Sequence, residues 1–409
     1  MTDLAMPVAA ARPRALRRAA PALLGYASVR VLGLLALALW SGARGKSAYT
    51  LLTARWDSLW YARVASGGYG YEVRLPNGDV HSDLAFFPLL PGLERLLADV
   101  TGLSYADAGF VVSLLASLAA AWGIFAVADH LYGPRAGVCA VLLWAVLPVG
   151  VVQSMAYSES LFTALAAWSL YAVLTGRWVS AGALALFAGL TRPVGLAVVA
   201  AVWTGAVTSF VRTRSAGVET GGATRTDGAV SATRAPALTA RLAPFLRPAL
   251  GMLLAPLGAA GYVLWVGHRT GRGPLGYLDV QAGWRNGFDG GYAFARFVAA
   301  RLTSFPSALA GLALITGVGL LAWLYVTGVR QRQPLVLLVH SGVVTALALC
   351  ASSYFGSKPR LLLPAFPLLL PLALALARAR VTRSALVVGG AAVASAVYGA
   401  FWLNGSGPP

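Results

Sequence analysis

The sequence predicts an all-α, polytopic helical membrane protein of about 11 transmembrane helices with a large first outer loop. Three observations carry this. Of 409 residues, 58% are hydrophobic and only 11% charged, where soluble domains carry about 25% charged residues. Apolar runs near or above ~18 residues, long enough to cross a bilayer as a helix, recur along most of the chain. Arginines gather between those runs mostly on alternate sides, as the positive-inside bias requires. The net charge of +18 therefore reads as topology and contact with anionic membrane lipid, not as nucleic-acid binding. Cys139 and Cys350 each sit in an apolar run and read as packing residues rather than a disulfide or metal pair. Lys46 and Lys358 are the only lysines, and with so much alanine the composition fits a GC-rich, bacterial genome.

In chain order, residues 1–20 carry Arg12, Arg14, Arg17 and Arg18 and read as a cytoplasmic tail. The first span, 22–40, lacks a small-residue cleavage site and reads as a retained helix. The loop 41–108 then faces outside, and the active site with it. Within it, Phe86-Phe87-Pro88-Leu89-Leu90-Pro91 is too short to span. With Leu93, Leu96 and Leu97 it reads as an interfacial or re-entrant helix. Spans are expected at 109–127, 136–152 and 159–174. Residues 178–211 read as two short spans broken at Thr191-Arg192-Pro193, because proline interrupts a helix and a mid-span arginine is costly. That break keeps the basic loop 212–247 inside and brings Arg192 to the outer surface. The loop's Gly-, Ala-, Thr- and Ser-rich centre reads as disordered. A span at 248–267, an outer loop 268–304 and spans at 305–327, 334–352, 361–377 and 384–402 complete the chain. Without a fixed-period repeat or a soluble domain, residues 1–409 read as one integral-membrane unit.

Asp57, in Arg55-Trp56-Asp57-Ser58-Leu59-Trp60-Tyr61, is the first acid after Asp3. A carboxylate among aromatics at a membrane boundary suits a general base. The same residues also suit an interfacial aromatic belt with one solvated acid. Arg192, Lys358 and Arg360 are outer-side cations that topology leaves unexplained. They could meet a lipid phosphate at headgroup level, or simply snorkel. Glu159 opens a span, where the helix dipole favours an acid. Asp83 is a second candidate acid or a cap, and Asp79 reads as turn chemistry. Neither metal-ligand spacing nor a phosphate-binding Gly-rich motif occurs. No cofactor is therefore called for, and a divalent metal stays an open option.

Several pieces occur in a telling order: Trp56-Asp57-Ser58-Leu59-Trp60-Tyr61, Ala85-Phe86-Phe87-Pro88, Tyr157-Ser158-Glu159-Ser160, Thr191-Arg192-Pro193-Val194-Gly195 and Pro359-Arg360-Leu361-Leu362-Leu363-Pro364. The set resembles integral-membrane glycosyltransferases of the GT-C superfamily, and more narrowly bacterial relatives of the second mannosyltransferase of GPI-anchor assembly (PIG-V type). The resemblance implies a polyprenyl- or dolichyl-phosphate-linked mannose donor, anomeric inversion, and a catalytic acid in the first outer loop, a position that Asp57 matches. The GPI acceptor is not carried over to a bacterium, and loop 212–247 has no counterpart. The expected activity is transfer of a sugar from a polyprenyl-phosphate donor to an acceptor hydroxyl. Asp57 would be the base, and Arg192, Lys358 and Arg360 would lie at the leaving phosphate. Trp56, Trp60 and Tyr61 would pack against sugar faces, while Asp83 and Glu159 hold the acceptor or orient Asp57. The competing readings are a flippase of lipid-linked sugars and a non-catalytic scaffold.

Overall fold

A computed structural model describes residues 11–222, 238–352 and 354–405. The chain begins with α1 (Ala11–Ala43), which starts inside the stretch read as a tail. The first loop is not loose chain. It contains α2 (Ala48–Thr53), α3 (Asp57–Gly67), a short antiparallel hairpin of β1 (Glu72–Arg74) and β2 (Val80–Ser82), and α4 (Leu89–Thr101). Ser47 starts α2 by accepting a bond from the Thr50 N–H (3.2 Å), satisfying one of the free donors of a first turn. Gly78, at φ +86, makes the hairpin turn that Pro76-Asn77-Gly78-Asp79 signals.

The apolar bundle follows: α5 (Tyr105–Tyr132), α6 (Pro134–Ala145), α7 (Ser158–Leu174), α8 (Trp178–Gly189), α9 (Leu196–Gly222), α10 (Leu238–Leu254) and α11 (Leu257–Thr270). Two short helices, α12 (Gly276–Gly283) and α13 (Tyr292–Arg301), precede α14 (Ser307–Arg330) and α15 (Leu335–Cys350). The chain ends with α16 (Lys358–Leu361), α17 (Leu370–Arg378) and α18 (Val381–Leu403). Helices α9 and α10 extend well into the stretch read as the 212–247 loop, and the loop's centre lies outside the described residues.

Among the described residues, six helical stretches are long and apolar enough to cross a membrane, or seven if the pair bent by 75° between Phe355–Leu361 and Phe366–Arg378 counts as one span. Four further apolar helices, α6, α7, α8 and α15, have only 10–17 residues. A 12-residue helix such as α6 rises about 18 Å, well under the ~30 Å of a bilayer's hydrocarbon. The count of about 11 crossings is thus not supported by helix length, although helices lie where the spans were expected.

The core is built on small residues. Gly123 of α5 lies so close to Ala167 and Trp168 of α7 that a methyl group there would collide. Ala120, Ala121, Ala166 and Ala167 beside it are fully buried. Without a hydrophobic driving force between helices in lipid, such close backbone approach is what dispersion can exploit. The expected span 136–152 is only half helical. Past Ala145 the chain unwinds through a short 3-10 turn, Gly150–Ser154, before α7. Free carbonyls inside a bundle must find donors. Arg30, buried in α1, supplies its two terminal nitrogens to Ala145 O and Gly150 O. Gln153 Nε2 adds a bond to Trp144 O (2.8 Å) and Trp144 Nε1 one to Leu363 O (3.1 Å). This broken stretch delivers Tyr157, Ser158 and Glu159 to the site.

Candidate active site

Four chain breaks converge. Asp57 is the first residue of α3, Glu159 stands in the first turn of α7, Arg192 lies in the gap between α8 and α9, and Arg360 is on α16 at the bend of the last apolar pair. Asp57 Oδ2 is 2.7 Å from Arg360 Nη1. The same nitrogen is 3.5 Å from Glu159 Oε1, which is itself 2.5 Å from Arg192 Nη1. The side chains differ in access: Glu159 is 2% exposed, Arg360 9% and Asp57 23%. One buried cation, Arg360, and one partly buried cation, Arg192, thus face one buried anion and one half-open anion.

These are charge contacts with bent donor angles. Neither carboxylate oxygen of Glu159, nor Nε and Nη1 of Arg360, has an aligned hydrogen-bond partner among the described residues. Unaligned buried polar atoms are costly in a finished core. Here the two Arg360 nitrogens are donors that an incoming anion can meet.

Around the cluster, Tyr157 packs its ring under the Arg360 guanidinium, 5.0 Å to the centroid, and its hydroxyl accepts a bond from the Asp57 N–H (3.4 Å). Ser113 Oγ donates to Tyr157 O (2.9 Å). Tyr61, buried, shares a 2.8 Å hydrogen bond with Ser158 Oγ, to which Arg192 Nη1 also donates (3.3 Å). Trp56 precedes Asp57 with φ +53 and ψ −122, a backbone state that non-glycine residues rarely occupy and that recurs at functional sites. The Arg55 guanidinium covers the Trp56 ring at 4.0 Å. Trp60, one turn after Asp57, is half-buried and stacks on Phe86 with centroids 5.6 Å apart.

Two expected site residues lie apart from this cluster. Asp83 is buried, and its carboxylate accepts from the Gly70 N–H (3.0 Å) and the Tyr71 N–H (2.8 Å), tying the strand β1 approach to the 3-10 turn that leads to Phe86. Burial raises its carboxyl, and those backbone donors pull it back. Lys358 is 4% exposed. Its ammonium donates to Ala348 O (2.8 Å) and Ala351 O (2.6 Å) at the end of α15, beneath the rings of Phe294 and Phe355. Arg95 of the first loop is occupied in a similar way, capping the end of α3 through Ala65 O and Ser66 O. Sequence reasoning missed Tyr157 and Ser158 as site residues, although both stand in the same short motif as Glu159. It also missed Glu94 on α4, buried against Gly109 with an unpartnered oxygen and pushed up to about 9 by that burial. No group of three or more His, Cys, Asp or Glu able to hold a metal occurs among the described residues.

No family model matches the chain. Over 149 residues it is 35% identical to GPI alpha-1,6-mannosyltransferase 2 of Rattus norvegicus and 33% identical to the Mus musculus protein of that name. The match takes in 34% of this chain and spans only 28% of each relative's length. Among solved structures, ArnT from Cupriavidus metallidurans bound to undecaprenyl phosphate superposes with a TM-score of 0.51 at 17% identity, covering 89% of this chain and 61% of that one. The chain shares the fold of ArnT. Within this fold, the ion-pair cluster is assembled at the broken ends of helices.

Proposed function

We propose that the protein is a multi-pass membrane glycosyltransferase that moves a sugar, mannose by its resemblance to the mannosyltransferases, from a polyprenyl phosphate to an acceptor hydroxyl. The orientation that fits the arginine distribution has the N-terminus in the cytoplasm and the site at the outer membrane face, with all 409 residues acting as one unit. The observation that carries this reading is the half-open Asp57 carboxylate held 2.7 Å from a buried arginine whose donors lack aligned partners. A base and a phosphate-binding cation are thus side by side.

In this mechanism the donor phosphate takes Arg360 away from Asp57, leaving the carboxylate free to accept the acceptor's hydroxyl proton. The acceptor oxygen attacks the anomeric carbon from the face opposite the phosphate. The C–O bond to phosphate breaks, and the configuration inverts. Polyprenyl phosphate leaves with one more negative charge, met by Arg360 and Arg192. Glu159, fixed between both guanidiniums, keeps them in place and offsets their charge in the absence of donor. Trp60 keeps access beside Asp57 for packing against a sugar face, while Trp56 and Tyr61 hold the loop. Asp83 sets the backbone around the site, and Lys358 the end of α15. The undecaprenyl phosphate bound by ArnT supports a lipid-phosphate donor, and the mannosyltransferase relatives favour transfer over a flippase.

The test is a transfer assay with radiolabelled polyprenyl-phosphate-mannose and a membrane extract, wild type beside Asp57→Asn. Label moved to a new product by the wild type alone is the expected result. Full transfer by a correctly inserted Asp57→Asn protein would falsify the role of Asp57.

A further inference from the structure

One turn beyond Asp57, Trp60 opens onto a group of rings drawn from segments about 200 residues apart. Trp60 stacks on Phe86, and Trp284, from the end of α12, meets both edge-on, with centroids 4.9 Å from Trp60 and 5.5 Å from Phe86. His81 of β2 lies flat on Trp284 at 4.0 Å. All four rings are only partly buried, and none belongs to a buried core cluster. The packing beneath them is done by different residues, among them Leu84, Phe87, Tyr262 and Tyr277. The rings are nevertheless fixed. Trp284 Nε1 donates to Ser82 O (3.0 Å), which sets the indole plane. Amides stand beside them: Asn286 Nδ2 donates to Gln281 Oε1 (3.0 Å), and Gln281 Nε2 to Tyr277 OH (2.5 Å). The exposed Arg285–Asp79 pair (2.5 Å) and Arg63, 5.7 Å from the Trp60 centroid, add further polar groups.

Rigid, half-open rings edged by planar amides and charges fit a ligand with one apolar face and a polar rim. A pyranose has that form: some of its C–H groups gather into an apolar patch on a ring face, and most of its hydroxyls run round the edge. We propose that Trp60, Phe86, Trp284 and His81, with Gln281 and Asn286, form the platform that binds the sugar ring of a carbohydrate acceptor. This rests on the transferase reading and specifies it, since the acceptor is then a glycan or glycolipid headgroup rather than a protein side chain.

The test uses the full chain in lipid nanodiscs. Saturation-transfer-difference NMR is recorded with methyl α-mannopyranoside and a mannose disaccharide, beside donor consumption in the same preparation. Wild type is expected to give signals from both sugars. Trp284→Ala is expected to weaken binding about three- to tenfold, the size of one lost aromatic contact, and Trp284→Phe to keep most of it. If Trp284→Ala does not fold, His81→Ala is compared instead. Three outcomes overturn the proposal: no signal from either sugar with wild type, a signal indifferent to these changes, or transfer of label to a serine peptide but to no sugar. Intact sugar binding without donor consumption fails the donor reading and leaves the platform standing.

Discussion

The ion-pair cluster and the pair Asp83 and Lys358 offer two ways to bury charge in one chain. Lys358 and Arg360 are neighbours on α16 and almost equally hidden, at 4% and 8% of the residue exposed. Lys358 is held by backbone carbonyls at 2.6 and 2.8 Å, whereas Arg360 faces two carboxylates and leaves donors without aligned partners. A charge satisfied by backbone is part of the fold, since its partners cannot leave. A charge balanced by other side chains can exchange them for a ligand. Burial alone does not separate the two kinds of residue; the chemistry of the partner does.

The comparison breaks most sharply at Asp57 and Arg360. Asp57→Asn should lower transfer by about 10²–10⁴-fold, the usual reach of general base catalysis. Arg360→Gln should lower it by about 10²–10³-fold, as for loss of one donor to a developing anion. Both are read as turnover per correctly inserted molecule. Lys358→Met should do the reverse. Thermal unfolding in detergent should fall by the equivalent of about 1–3 kcal/mol, from carbonyls left without a donor, with turnover per folded molecule changed less than about threefold. Equal losses of turnover at positions 358 and 360 would sink the distinction.

Glu94 sharpens it from another side, as a buried acid with neither kind of partner. Below pH 4.5 both the folded and unfolded forms are protonated. As the pH climbs from there towards 9, the unfolded carboxyl ionises and the folded one does not, so folded stability falls across that window. Glu94→Gln should flatten the dependence and raise the melting temperature by several degrees at pH 8, measured by scanning the two proteins side by side. The smallest effect belongs to the exposed pair. Arg285 is 69% exposed, and Arg285→Ala should shift stability by under about 1 kcal/mol.

The helical bundle was legible because apolar runs and arginine-rich gaps are local signals. The break at Thr191-Arg192-Pro193 was legible for the same reason: the structure ends α8 at Gly189 and starts α9 at Leu196. Arg30 was not legible. Its partners are carbonyls 115 and 120 residues away, and a backbone carbonyl leaves no mark in a sequence. The half-unwound segment after Ala145 stayed hidden with it. Of the site, Asp57, Glu159, Arg192 and Arg360 could be picked out as charges next to apolar runs. That Glu159 contacts both arginines, while Asp83 and Lys358 turn to backbone, depends on packing between distant segments.

The order in which the four site charges are synthesised has a consequence of its own. Asp57, Glu159 and Arg192 leave the ribosome well before Arg360, which comes 303 residues after Asp57 (360 − 57). At elongation rates of about 5–20 residues per second, that interval is roughly 15–60 s. Through it, the nascent chain holds an excess of negative charge at the future site, with Asp57 still open to solvent. The bent apolar pair that carries Arg360 then brings the balancing cation. Late arrival of Arg360 thus delays charge balance at the site until nearly nine-tenths of the chain has been made.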